Sequence, residues 1–83
     1  MLVDIIYHPT ENIEKALKIL LESDIFLVVK AAPLPNSDGE IWKMRLDLKK
    51  SVNWQEFHKA IDRFLEFCDK NGIQCKIIIS PSQ

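Results

Sequence analysis

Hydrophobic and polar positions alternate along this chain with two different periods, and the change from one to the other marks out its elements. The longest periodic stretch runs from Ser51 to Ile79. Within it Trp54, Phe57, Ile61, Phe64 and Cys68 recur at spacings of three and four, so they share one face of a helix. Ala60, Leu65 and Phe67 widen that face, and Gln55, Lys59, Asp62, Arg63, Glu66 and Lys70 fill the opposite arc as an ordinary solvated surface. Asn53 is a suitable N-cap, with Glu56 three residues on and Val52 and Phe57 at the positions of a hydrophobic staple. Asn71 and Gly72 supply the far end, where Ile73 can close over Cys68 in a Schellman turn. The spacing predicts a helix from about Trp54 to Asn71. Ile73, Cys75, Ile77 and Ile79 then alternate with Gln74, Lys76 and Ser80, the period of a strand.

The earlier part of the chain repeats this logic. Leu2 to Tyr7 is apolar except for Asp4 and reads as a strand ended by His8-Pro9, since proline cannot donate to a ladder. Thr10 can cap a helix whose inward face is Ile13, Ala16, Leu17, Leu20 and Leu21, closed by Ser23-Asp24 without a glycine. Ile25 to Ala32 is a second strand, apolar on both faces but for Lys30, and Pro33 to Gly39 is a loop. In the third strand, Glu40 to Lys50, Trp42, Met44, Leu46 and Leu48 point one way and Ile41, Lys43, Arg45, Asp47 and Lys49 the other. That is the pattern of a sheet covered on one side only.

The order βαββαβ predicts a ferredoxin-like α+β sandwich, a four-stranded antiparallel sheet with two helices on one face, formed by residues 1–83 as a single domain. Right-handed crossovers place the third strand between the first and second, and the fourth outside the first. The apolar second strand then lies at an edge, a liability that a covering partner removes. A homodimer, through that edge or through the open sheet face, is the simplest cover.

Composition narrows the functions. With 83 residues the chain has room for one core, and with 47% hydrophobic residues it has the material to fill it. A formal net charge of −1 argues against a dedicated nucleic-acid binder. The N-terminus lacks the basic leader and apolar run of a signal peptide, and no stretch is long enough for a membrane span. Both cysteines, Cys68 and Cys75, take core-facing positions and suit a reducing compartment, so the expected location is cytoplasmic.

Two glycines exclude Gly-rich phosphate loops, and the spacing of the two cysteines offers no structural zinc site. No cofactor is implied. No serine sits in a nucleophile elbow. The signatures of RNA recognition motifs, heavy-metal-binding domains, acylphosphatases and amino-acid-sensing domains are absent from the positions where this topology would place them.

Two surfaces carry candidate chemistry. Lys43, Arg45, Lys49 and Lys50 concentrate positive charge on the outer face of the third strand, extended by Lys30 and Lys76, and suit phosphates or an acidic partner. No aromatic accompanies them to stack on bases. At one end of the sheet His8 and Thr10 would meet Asn36, Ser37 and Asp38 from the hairpin loop, with His8 as an acid–base group. The reading that follows is a small non-catalytic binding or regulatory module acting through protein–protein contact, as a homodimer. Binding of nucleic acid or another anionic ligand through the third strand is the alternative, and an enzyme using His8 a third.

Overall fold

The computed structural model describes residues 1–81. Its elements are β1 (Leu2–Tyr7), α1 (Glu11–Glu22), β2 (Phe26–Pro33), β3 (Trp42–Leu48), α2 (Trp54–Lys70) and β4 (Cys75–Ser80). The strands form one sheet in the order β2-β3-β1-β4, every neighbouring pair antiparallel. This is the order that right-handed crossovers require.

Both helices start where their caps put them. The Thr10 hydroxyl accepts from the Ile13 amide at 3.2 Å, and the Asn53 side chain accepts from the Glu56 amide at 2.9 Å. At the end of α2, Gly72 adopts φ +63°, and the Ile73 amide returns to the Cys68 carbonyl at 2.8 Å, completing the Schellman turn. Asp24 takes the corresponding left-handed position after α1, with φ 58°. Aspartate tolerates that conformation better than most residues, so no glycine is needed.

One core unites the two layers. From the sheet come Val3, Ile5 and Leu46, all without solvent exposure. From α1 come Ile13, Ala16, Leu17 and Leu20, and from α2 Phe57, Ala60, Ile61, Phe64 and Cys68. The Phe57 ring meets Phe26 edge-on, centroids 6.1 Å apart. Alternation on β3 is as expected: Leu46 is buried, Trp42, Met44 and Leu48 pack against the core, and the other side of the strand is left to the open face.

Four expectations need correction. Trp54 does not join the core; the residue is 59% exposed, its ring stacked on His58 and set edge-on to Phe57. It opens the first turn, ahead of the part of the helix that covers the sheet. Leu65 is also exposed, because it lies about 100° round the helix from Phe64 and beyond the contact stripe. The third strand begins at Trp42 rather than Glu40, since the Ser37 carbonyl accepts from the Glu40 amide and keeps that residue in the turn. The fourth begins at Cys75, because Ile73 is used in ending α2.

Candidate functional site

The open face of the sheet is built from alternate residues of each strand. Its middle row runs from Lys30 on β2 to Arg45 on β3, Asp4 on β1 and Ile78 on β4, each the register partner of the next. Asp4 is the one charged residue buried among the described residues, and Arg45 satisfies it with two parallel bonds, Nε to Oδ1 at 2.8 Å and Nη2 to Oδ2 at 3.0 Å. Those hydrogen bonds hold the Asp4 carboxyl below its ordinary value, outweighing burial, which acts the other way. The next row carries Ala32, Lys43, Ile6 and Lys76.

The four basic residues picked out on the third strand therefore divide. Lys43 and Arg45 stand two apart on the open face and line one cleft together with Lys30. Lys49 lies beyond the end of β3, where its ammonium bonds the exposed Asp24 carboxylate at 2.9 Å and lowers its pKa. Lys50 follows it into the exposed turn before α2. Lys76 is on the far strand.

The cleft that unites Lys30, Lys43 and Arg45 has a volume of about 320 Å³. Its walls are apolar, from Val29, Ala32, Pro33, Leu34 and Pro35. The pairing of β2 with β3 slips between Val28 and Lys30, so Val29 is an extra residue on the edge strand. The hairpin beyond is tied down by the Leu34 amide donating to the Ile41 carbonyl at 2.7 Å and by the Ser37 hydroxyl donating to Leu34 O at 2.8 Å. Lys43 and Arg45 of this cleft are legible in the alternation of the third strand, and Lys30 as an extension of the same patch. The cleft itself is not legible in the sequence, because neither the bulge nor the hairpin's internal bonds leave a periodic signal.

His8 is placed differently from expectation. Its Nδ1–H donates to the Glu40 carbonyl at 3.0 Å, which ties it to the hairpin. The cleft it shares with Thr10 and Asn12 is closed by Asn71, Gly72, Ile73 and Gln74, not by Asn36, Ser37 and Asp38. Strand β4 lies directly beside β1, so the turn feeding it reaches the end of β1 at His8. The Thr10 and Ser37 hydroxyls are spent on the helix cap and on the hairpin. No carboxylate or thiol lines that cleft. On the other side of His8, Cys75 borders a second shallow cleft, its thiol 4.0 Å from that of Cys68. Burial raises the pKa of both thiols, that of Cys68 to about 12.

Among the described residues no three His, Cys, Asp or Glu side chains converge as metal ligands, and no helix is long and apolar enough to cross a membrane.

Strand order, antiparallel pairing and helix placement together define the ferredoxin-like fold. Solved structures share it. A formyltetrahydrofolate deformylase from Pseudomonas putida KT2440 superposes with a TM-score of 0.56 and 6% identity, over 95% of this chain and 28% of the deformylase chain. Another from Pseudomonas syringae pv. tomato DC3000 gives a TM-score of 0.52 and 14% identity, over 93% of this chain and 26% of its own. This chain thus spans about a quarter of each enzyme, and at such identities the likeness is one of fold. No protein-family model matches the sequence, and neither does any curated protein.

Proposed function

We propose that this chain is a small cytoplasmic binding module, without catalysis of its own, that works by pairing with a second copy of itself along β2. The observation that carries the proposal is the state of that strand. It stands at the edge of the sheet, and Leu27, Val28 and Val29 are 56%, 51% and 55% exposed. Natural edges are blunted by charges, prolines, bulges or a cover. Here Lys30, the slip at Val29 and the closing Pro33 blunt β2 only in part, and Phe26 to Val28 stand ahead of all three with no strand on their outer side. An edge of this kind is complementary to itself about a twofold axis. The non-catalytic part of the reading draws support from His8, the one candidate base: the cleft it shares with Thr10 brings it no carboxylate or thiol, and in the cleft on its other side burial raises the pKa of the Cys75 thiol.

Sedimentation velocity across a concentration series tests the pairing. The expected result is a shift from the chain mass to twice that mass with rising concentration. A single monomeric species up to hundreds of micromolar overturns it.

A second reading, an anionic ligand on the open face, is favoured by Lys43 and Arg45 lining one cleft with Lys30. A nucleic acid is the less suited version, since no aromatic residue stands in the rows of that face on which bases could stack.

A further inference from the structure

We infer that the cleft between the open face and the β2–β3 hairpin binds a small organic anion with an apolar body, of the class of medium-chain carboxylates. The inference rests on the second reading above and narrows it to one site and one ligand class.

The charges are arranged against the interest of the fold. Lys30 and Arg45 are direct register partners across an antiparallel pair, and like charges so placed repel. Lys43 adds a third cation on the same face, diagonal to Lys30. Asp4 compensates one of the three through its two bonds to Arg45. Among the described residues neither Lys30 nor Lys43 forms an ion pair. The cleft therefore holds two lysines without an ion-pair partner, beside a guanidinium that Asp4 fixes in place. A bound carboxylate relieves the repulsion and takes charge-assisted hydrogen bonds from these donors.

The walls state what else the ligand carries. Val29, Ala32, Pro33, Leu34 and Pro35 offer hydrocarbon beside the cations, and inorganic phosphate would leave that surface wet. Ala32, the register partner of Lys43, is too small to fill the space opposite it, which helps leave the cleft open. The bulge adds Val29 to the lining. Two prolines and the Ser37 hydrogen bonds stiffen the hairpin wall, so little ordering is needed on binding. At about 320 Å³ the cleft is at the lower end of small-ligand sites, enough for one short chain with its head group.

The test is a titration of the intact chain followed by amide chemical shifts, with sodium octanoate below its micelle concentration as probe. Octan-1-ol, inorganic phosphate and an oligothymidylate serve as comparison probes. Saturable octanoate shifts confined to the Val29–Leu34 and Lys43–Arg45 amides, stronger than those from octanol or phosphate, are expected. Lys43→Ala and Lys30→Ala should each weaken octanoate about tenfold, the loss of one charge-assisted contact, with Lys43→Arg retaining most of the affinity. Unfolding curves confirm that the variants fold, and Lys30, exposed on the edge strand, is the safer position. Octanoate without saturation, or with affinity unchanged in both alanine variants, overturns the inference. If the oligothymidylate shifts these amides and octanoate does not, the carboxylate site falls while the broader anionic reading survives. If no anion binds, both fall.

Discussion

Replacing Leu27 by lysine separates the self-association reading from a merely apolar edge. Leu27 is 56% exposed, so roughly half of its burial is still to be gained in a complex. Fully burying such a side chain contributes about 1.5–3 kcal/mol, which leaves about 1 kcal/mol per copy at stake. A twofold interface contains the change twice, for a loss of about 2 kcal/mol before any charge repulsion, or roughly a 30-fold rise in the dimer Kd. The monomer should tolerate the change. Leu27 faces Asp47 across the ladder, and an opposite charge there is mildly favourable. Sedimentation equilibrium on parent and Leu27→Lys gives the two constants directly. Asp62→Lys, on the solvated arc of α2, serves as a control that adds positive charge elsewhere. If Leu27→Lys and the control shift Kd by the same small factor, β2 is not the interface.

Three further outcomes follow from the packing. Gly72 sits at φ +63° with nothing within 4 Å of an added Cβ, so Gly72→Ala should cost only the backbone strain, about 1 kcal/mol in urea unfolding; an unchanged midpoint would contradict the turn assigned to it. Asp4 has its carboxyl depressed below the ordinary 3.8 by Arg45, so the stability it adds is fully present above 3.8 and is lost as pH falls through the lower folded value. Asp4→Asn should flatten that acid limb, and an unaltered slope would remove the ion pair from the account. Cys68, with its thiol pushed up to about 12 by burial, should resist iodoacetamide at neutral pH until the chain unfolds; rapid native labelling at Cys68, read by mass spectrometry of the digest, would refute its burial.

Local signals in the sequence carried most of the architecture. Thr10, Asn53 and Gly72 act within a few residues of themselves, so their roles are readable from spacing, and the structure places all three in them. Strand order follows from the handedness of crossovers and needs no side-chain detail. The missing parts are those set by register or by what lies overhead. Asp4 and Arg45 are 41 positions apart and meet only because β1 and β3 pair in one particular register. Lys49 looked like part of a basic row until a chain reversal brought Asp24 beside it. Periodicity gave Trp54 and Leu65 an angle on the helix, but an angle does not say where the sheet stops. The cleft depends on the Val29 bulge and the hairpin bonds together, and neither has a pattern to read.

Both helices are capped and no buried side-chain polar atom lacks a partner among the described residues, though Trp54, Leu65 and, on the opposite edge strand, Ile78 and Ile79 are left exposed. On β2 an apolar edge is left bare, the ladder slips, and one cation is set opposite another. Three departures meet on this one element, and natural sequences relax local consistency where function requires it. The two proposed surfaces are geometrically distinct, one along the backbone edge and one on the sheet's open face, yet Val29 is exposed on the first and lines the second. Leu27→Lys should therefore raise the dimer Kd roughly 30-fold while leaving octanoate affinity near its parent value, and Lys43→Ala should weaken octanoate about tenfold while leaving pairing unchanged. Val29→Ala alone should weaken both. If the two events are coupled through Val29, octanoate must change the dimer constant by the same factor by which pairing changes octanoate affinity. Sedimentation with and without octanoate, set beside titrations of the dilute and concentrated protein, measures that factor from both directions. Two unequal factors would mean that the shifts and the mass report different processes, and the shared role given to Val29 would be wrong.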